Sequence, residues 1–256
     1  MKKIVDVQGS EDSREIDINK VGIKGSAFRG KIKYGDELLP FQGYSDCFVF
    51  LAKDKKGTHM SRMSRGLASL IDREISDQTL EDATKEMFNN LETSEIFINI
   101  YTTVIRQKKS PISDLVGYES FKLDFYVKYD GKDFICDINI QLIGTSLCPA
   151  SKTNSNYGAH NQRSVVNVRT EFTNNIDLKK YVDLTEGSLS SLVYPIVKLD
   201  DEAYITEKAY ENPKFVEDIA RDLAVVFDQN KLNYILVDCE NYESIHTHNA
   251  YAIIYK

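Results

Sequence analysis

Two stretches of strict alternation limit what this chain can become. Phe121, Leu123, Phe125, Val127 and Tyr129 alternate with Lys122, Asp124, Tyr126 and Lys128. Cys136, Ile138, Ile140 and Leu142 alternate with Asp137, Asn139 and Gln141. Successive side chains of a strand point to opposite faces, so each run has one apolar face to bury and one polar face to leave outside. That pattern belongs to antiparallel sheet, because all-parallel sheets bury both faces and read as continuous apolar runs. Weaker strand patterns cover residues 44–51, 96–106, 163–172, 234–241 and 250–255.

Helical spacing is rarer. Leu80, Ala83, Met87, Phe88 and Leu91 share one helical face, with Ser76 or Asp77 available as a cap. Leu178, Tyr181, Val182, Thr185, Leu189 and Leu192 form a second stripe. A third helix is expected to open at Asn212-Pro213, since Asn is a good cap and Pro suits the first helical position. Its core face would be Phe215, Val216, Ile219, Leu223, Val226 and Phe227, with Glu217 on the flank.

From about residue 132 to 255 the order is strand, strand, helix, helix, strand, strand. The first half reads as a degraded copy of it. The expected architecture is therefore α+β, with two tandem modules, residues 1–130 and 131–256. No linker rich in Pro, Gly or Ser separates them, so they are expected to share one continuous antiparallel sheet. The first 40 residues have weak periodicity and are expected to wrap or cover a sheet edge.

A chain of 256 residues can bury about 70–75% of its unfolded surface, so it needs no disulfide or metal merely to fold. No apolar run approaches the ~18 residues of a membrane span. The Met1–Asp6 opening has two lysines but no apolar segment behind them, so no export signal is expected. The net charge of −7, without a basic run longer than three residues, argues against a nucleic-acid partner. Cys47, Cys136, Cys148 and Cys239 are widely spaced and form no CxxC, which fits free thiols in a cytoplasmic protein.

Cys47, Cys136 and Cys239 fall among apolar strand residues and read as core. Cys148 differs, because it ends a strand and precedes the polar Pro149-Ala150-Ser151-Lys152. There a thiol is a nucleophile, a metal ligand or simply packed. His160 follows 12 residues later, a loop able to bring both to one metal ion. His246 and His248 form a His-x-His at a strand end, which suits metal binding, proton relay or a solvated hairpin. His59 lies in Lys55-Lys56-Gly57-Thr58-His59-Met60-Ser61-Arg62, a loop that either holds a phosphate group or is merely exposed and basic. It is not a Walker motif. A thiolate with imidazole suits zinc or iron, and an added carboxylate extends the choice to manganese.

Six segments in order then resemble the type IB GTP cyclohydrolases: Val21-Gly22-Ile23-Lys24-Gly25, the stretch 56–62, Cys148-Pro149 with Ser151-Lys152, the stretch 157–163, ENPKFVED at 211–218 and ENYESIHTH at 240–248. They span almost the whole chain. The resemblance implies the tunnelling fold, a unit of two strands, two helices and two strands. Two such units occur per subunit, with helices on one sheet face, and subunits assemble into a barrel-shaped homotetramer with active sites between subunits. It implies conversion of GTP to 7,8-dihydroneopterin triphosphate and formate, the entry to tetrahydrofolate biosynthesis. It further implies one divalent metal per site (zinc, manganese or iron) on Cys148, His160 and Glu202, with an exchangeable water that attacks C8 of guanine. Glu243, His246 and His248 would transfer protons, and Glu217 would anchor guanine through N1–H and the 2-amino group. Lys56, His59, Arg62 and Arg163, with Lys152 behind them, would take the triphosphate, and sites between subunits let the basic loop serve a neighbouring subunit. The chain departs from the family pattern at Ala150, where many members carry a second Cys. Three alternatives stay open on the same fold: an archaeal-type cyclohydrolase giving a cyclic phosphate, a nitrile reductase, and a non-catalytic purine- or pterin-binding module.

Overall fold

The computed structural model describes residues 7, 8 and 10–256. The Met1–Asp6 opening, where no export signal is expected, lies outside the described residues. In chain order the elements are β1 (Ile18–Tyr34), β2 (Glu37–Leu51), α1 (Met60–Ala68), α2 (Asp77–Leu91), β3 (Ile96–Lys109), β4 (Val116–Tyr129) and β5 (Phe134–Leu147). There follow α3 (Pro149–Asn154), β6 (Asn161–Glu171), α4 (Leu178–Gly187), β7 (Ser191–Leu192), α5 (Leu199–Glu211), α6 (Val216–Gln229), β8 (Leu236–Tyr242) and β9 (Ala250–Tyr255). Every ladder is antiparallel, as the alternation requires. The strands form a single sheet in the order β1-β2-β3-β4-β5-β6-β8-β9, with β7 pairing β5. No helix among the described residues is long and apolar enough to cross a membrane.

The apolar set of each strand faces one layer of helices. Ile96, Ile98, Ile100 and Val104 of β3, Leu123, Phe125 and Val127 of β4 and Ile138 and Ile140 of β5 are buried on that side. They meet Leu80 and Met87 of α2, Val182 of α4, and Ile219, Leu223 and Phe227 of α6 in one continuous core. Phe125 and Phe172 pack edge to face at 5.3 Å, so the core crosses the boundary near residue 130 without interruption. The opposite face stays open and exposes Tyr44, Ile105, Tyr118, Ile135, Ile143 and Tyr251.

Several sequence expectations need correction. Within the early segment, Ile18–Tyr34 does not wrap an edge; as β1 it is the edge. Its weak periodicity has a physical cause, a register shift between Ile23 and Ser26 where Gly25 takes φ +71° and donates its N–H to Asp46 Oδ1 at 2.8 Å. A bulge of this kind twists an edge strand and discourages pairing with stray strands. The 55–62 stretch is not all loop, since α1 begins at Met60. The stripe ending at Leu192 is not one helix: α4 stops at Gly187, and Leu192 belongs to β7. Nor does Asn212-Pro213 open a helix. Asn212 ends α5, and its amide donates to the carbonyls of Leu189 (3.0 Å) and Ser190 (3.4 Å). The Lys214 N–H is committed to Leu147 O at 3.0 Å, so the chain runs extended there. α6 starts at Val216, capped by the Asp218 carboxylate, which accepts from Phe215 N–H at 2.9 Å. Phe215 therefore precedes the first turn and is 39% exposed instead of core. Ser76 caps α2 as expected, in a reciprocal box with Thr79.

Beyond Lys122 and Gln141 the ladder between β4 and β5 ends, and the two strands part. The chain before α5 fills the wedge, with Pro195 and Ile196 packed on Gly117, where a Cβ would lie 2.5 Å from Pro195 Cγ. Inside sits a buried charge cluster. Arg106 binds Glu119 (2.7 Å), Glu186 and the Tyr34 hydroxyl (2.6 Å), and Lys108 binds Glu119 (3.1 Å) and Glu186 (2.8 Å). Burial works against the Arg106 charge, but Glu186, Tyr34 and Glu119 outweigh it and hold the guanidinium protonated.

α5 has no clean apolar stripe and was not visible in the sequence. Its start is anchored by Asp201, which is fully buried and accepts from Ile112 N (2.9 Å), Ser113 N (2.9 Å), Ser113 Oγ (2.6 Å) and Lys198 N (2.8 Å). Burial alone would raise its pKa, yet these donors together hold it well below the usual carboxylate range. The sign follows. A depressed native pKa stabilises fully above the unfolded value near ~4 and is lost as pH falls below it. The stability gap between wild type and Asp201→Asn, read from urea unfolding midpoints, should be constant above about pH 5 and shrink below about pH 4.

Candidate active site

Leu147 pairs with Asn161 in the β5–β6 ladder, so the next residues outward, Cys148 and His160, face each other at the strand ends. Cys148 N donates to His160 O at 3.1 Å and closes the pair. Ser151 organises the turn between them. Its N–H points at Cys148 Sγ (3.4 Å), and its hydroxyl donates to Cys148 O (3.2 Å) and accepts from His160 N (3.2 Å). Cys148 is partly open to solvent, whereas Cys47, Cys136 and Cys239 are buried. Burial pushes the thiols of Cys47 and Cys239 up to about 12 and raises that of Cys136 as well.

On His160, Nδ1 lies 3.0 Å from Gln162 Oε1 and 3.2 Å from Ser244 Oγ. Ser244 brings in the loop between β8 and β9, which carries Glu243, His246 and His248. This loop is not strand, so the expected same-side rule does not apply. The two imidazoles are instead stacked at 5.1 Å and 15°. The Lys214–Leu147 bond sets the first turn of α6, with exposed Glu217, beside the same strand end. α5 lies across this end too, from the β3–β4 turn that Asp201 grips to Tyr210, whose carbonyl accepts from Lys152 Nζ. Glu202 is exposed in its first turn. Lys152 also sits 4.3 Å over the Tyr210 ring, so it serves the fold and is a poor phosphate ligand. Arg163 is exposed on β6, opposite Thr145 and Tyr242.

The thiol–imidazole pair fits a divalent ion of zinc or iron type, because a neutral ring and a thiolate are its preferred donors. The fit is incomplete within one chain. Among the described residues no three His, Cys, Asp or Glu side chains converge on one point, and Glu202 does not join Cys148 and His160 in this conformation.

The basic loop stands elsewhere. His59 is the residue before α1, and Arg62 donates to Asn90 O at 2.6 Å. With Lys55 and the buried Thr58, His59 lines a cavity of about 370 Å³ against Leu51 and Thr93. Lys56 is exposed next to it. Val49, Ile96, Tyr129 and Phe134 are level across the sheet. Cys148, the residue after β5, lies 148 − 134 = 14 residues beyond Phe134, roughly 45 Å at about 3.3 Å per residue. The basic loop and the Cys148 pair thus occupy opposite ends of the sheet.

Sequence reading passed over Gln162, Ser151 and Ser244. Gln162 had a signal: it takes an inward position in the β6 alternation, where a polar side chain needs partners.

The family model described as type I GTP cyclohydrolase folE2 matches residues 4–252. The chain belongs to that family. It is 40% identical over 256 residues to GTP cyclohydrolase FolE2 of Azoarcus sp. (strain BH72), covering 98% of this chain and 94% of that one. It is 38% identical to GTP cyclohydrolase FolE2 of Magnetococcus marinus, covering 97% of this chain and 94% of that one. The relative from Thermosipho melanesiensis is 35% identical, with 97% and 96% covered.

Thiol chemistry checks the site directly. In the native protein a disulfide reagent near pH 8 should modify a single thiol rapidly, and Cys148→Ser should abolish that phase. Three further thiols should appear only on denaturation.

Proposed function

We propose that this chain hydrolyses GTP to 7,8-dihydroneopterin triphosphate and formate, the first step toward tetrahydrofolate. The observation that carries the reading is the facing Cys148–His160 pair, with the histidine loop and Glu217 gathered at the same strand end. Cys148, His160 and Glu202 would hold a divalent ion (zinc, manganese or iron), which when bound would supply the Lewis acidity that makes water reactive toward C8 of guanine. Glu202, exposed on the first turn of α5 beside the anchored Asp201, would supply the third ligand.

The chain's own residues do the remainder. The Glu217 carboxylate accepts two parallel hydrogen bonds from guanine N1–H and the 2-amino group, donors that adenine lacks. Glu243, His246 and His248 exchange protons as the imidazole ring opens, formate leaves and the new ring closes. Imidazole suits that work near neutral pH. Lys56, His59, Arg62 and Arg163 bind the triphosphate. Arg163 reaches it from the same chain, while the basic loop, roughly 45 Å away along the strands, serves the site of another subunit. The two halves, 1–130 and 131–256, are tunnelling-fold units whose sheets join those of other copies into a barrel. The assembly is a homotetramer with shared sites, and the protein is cytoplasmic.

Metal-stripped protein given GTP with zinc, manganese or iron(II) should release formate and a product that fluoresces as neopterin after oxidation. Absence of turnover with every metal would overturn the proposal. Cys148→Ala and Arg62→Ala should each lose activity, the former by about a hundredfold or more. Unfolded together and reassembled one to one, the two variants should recover about a quarter of wild-type activity, because one subunit's intact loop then meets another's intact thiol. No recovery would place both residues in one subunit's site. Glu217→Gln should raise the KM for GTP about 10–100-fold with a smaller change in kcat.

A further inference from the structure

We propose that Gln162 is a positioning residue for His160, fixing the imidazole in the Nδ1–H tautomer so that Nε2 is the atom presented to a divalent ion. The inference rests on the metal reading of Cys148 and His160.

The register builds the arrangement. His160, the residue before β6, turns its ring to the side of Gln162, as their contact shows, and Ser146 of β5 stands opposite Gln162. Gln162 is 93% buried by its 7% exposure, and Ser146 is fully buried. A buried amide must satisfy both ends. Gln162 Nε2 donates to Ser146 Oγ at 2.6 Å, which turns Oε1 toward the His160 ring, 3.0 Å from Nδ1. A carbonyl oxygen only accepts, so Nδ1 carries the hydrogen and the lone pair of the neutral ring is at Nε2. Ser244 Oγ, 3.2 Å from the same Nδ1, is a second acceptor for that hydrogen. The same contact ties the loop of His246 and His248 to the ring. A ligating histidine that gives its other N–H to a fixed acceptor is held in both tautomer and angle, and loss of such acceptors weakens metal binding.

Two measurements test this. The chain has four histidines, so selective ¹⁵N-histidine labelling of metal-free protein gives a readable set of ring nitrogens, and His160→Gln assigns the one that matters. Wild type should show His160 protonated at Nδ1, and Gln162→Leu should shift it toward the Nε2–H form. Cobalt(II) titration, followed by the thiolate-to-cobalt absorption band, should show binding weakened about 10–100-fold in Gln162→Leu and retained in Gln162→Glu, whose carboxylate accepts the same hydrogen. An Nε2–H tautomer in the wild type, or unchanged cobalt affinity in Gln162→Leu, would overturn the inference alone. A wild type with no cobalt–thiolate band would overturn the metal reading, and this inference with it.

Discussion

The pairing of β5 with β6 is the constraint on which the site depends. It puts Cys148 across from His160, Ser146 across from Gln162, and Arg163 on the outer face. A slip of one residue would turn every side chain of β6 over, sending Arg163 into the core and Gln162 into water. That register is in turn held by burial on one face only: Ile138, Ile140, Val166 and Val168 are all inward and nearly inaccessible. The apolar half of the alternation therefore does chemical work at a distance, by fixing where the chain stops being strand and the thiol begins.

The second constraint is extent. A sheet built from strands of about 14 residues has two ends too far apart to share a small molecule. Eight candidates, Cys148, His160, Arg163, Glu202, Glu217, Glu243, His246 and His248, collect at one end, and the basic loop at the other. On the proposed function, one subunit would then offer two half-sites facing away from each other. The wedge between β4 and β5 matters here, because the Arg106–Glu186 cluster locks α4 to the strands of the first half. Such buried charges stabilise little beyond an apolar substitute, but removing one partner leaves an uncompensated charge at about 3–5 kcal/mol. The cluster thus ties the helix layer of the second half to the strands of the first.

What could be read from the sequence follows the same physics. Strands with one buried face announce themselves by alternation, and β2 to β6, β8 and β9 were all legible. β1 was not, because its bulge at Gly25 breaks the period, and its outer residues are exposed on both faces. α2 was legible through its stripe and its Ser76 cap. α5 was hidden, since a single buried carboxylate, Asp201, anchors it rather than an apolar face. Asn212-Pro213 misled because good capping residues also suit a helix end followed by an extended turn. Cys148 and His160 were findable as polar exceptions at strand ends. Gln162 was visible only as a polar residue on an apolar parity, and nothing in the spacing tied it to His160. The family match covers residues that periodicity cannot connect, such as Glu217 and the histidine loop.

The sealing of three thiols and the presence of Ala150 have a chemical consequence. If peroxide takes Cys148 to the sulfenic acid, no second cysteine in its own loop stands ready to condense with it, and the other three lie inside the core. Repair must come from a thiol outside the loop, reached through solvent, and it must arrive before oxidation proceeds to the sulfinic acid, which is irreversible. Among the thiols, the damage is confined to one sulfur atom, and so is the vulnerability.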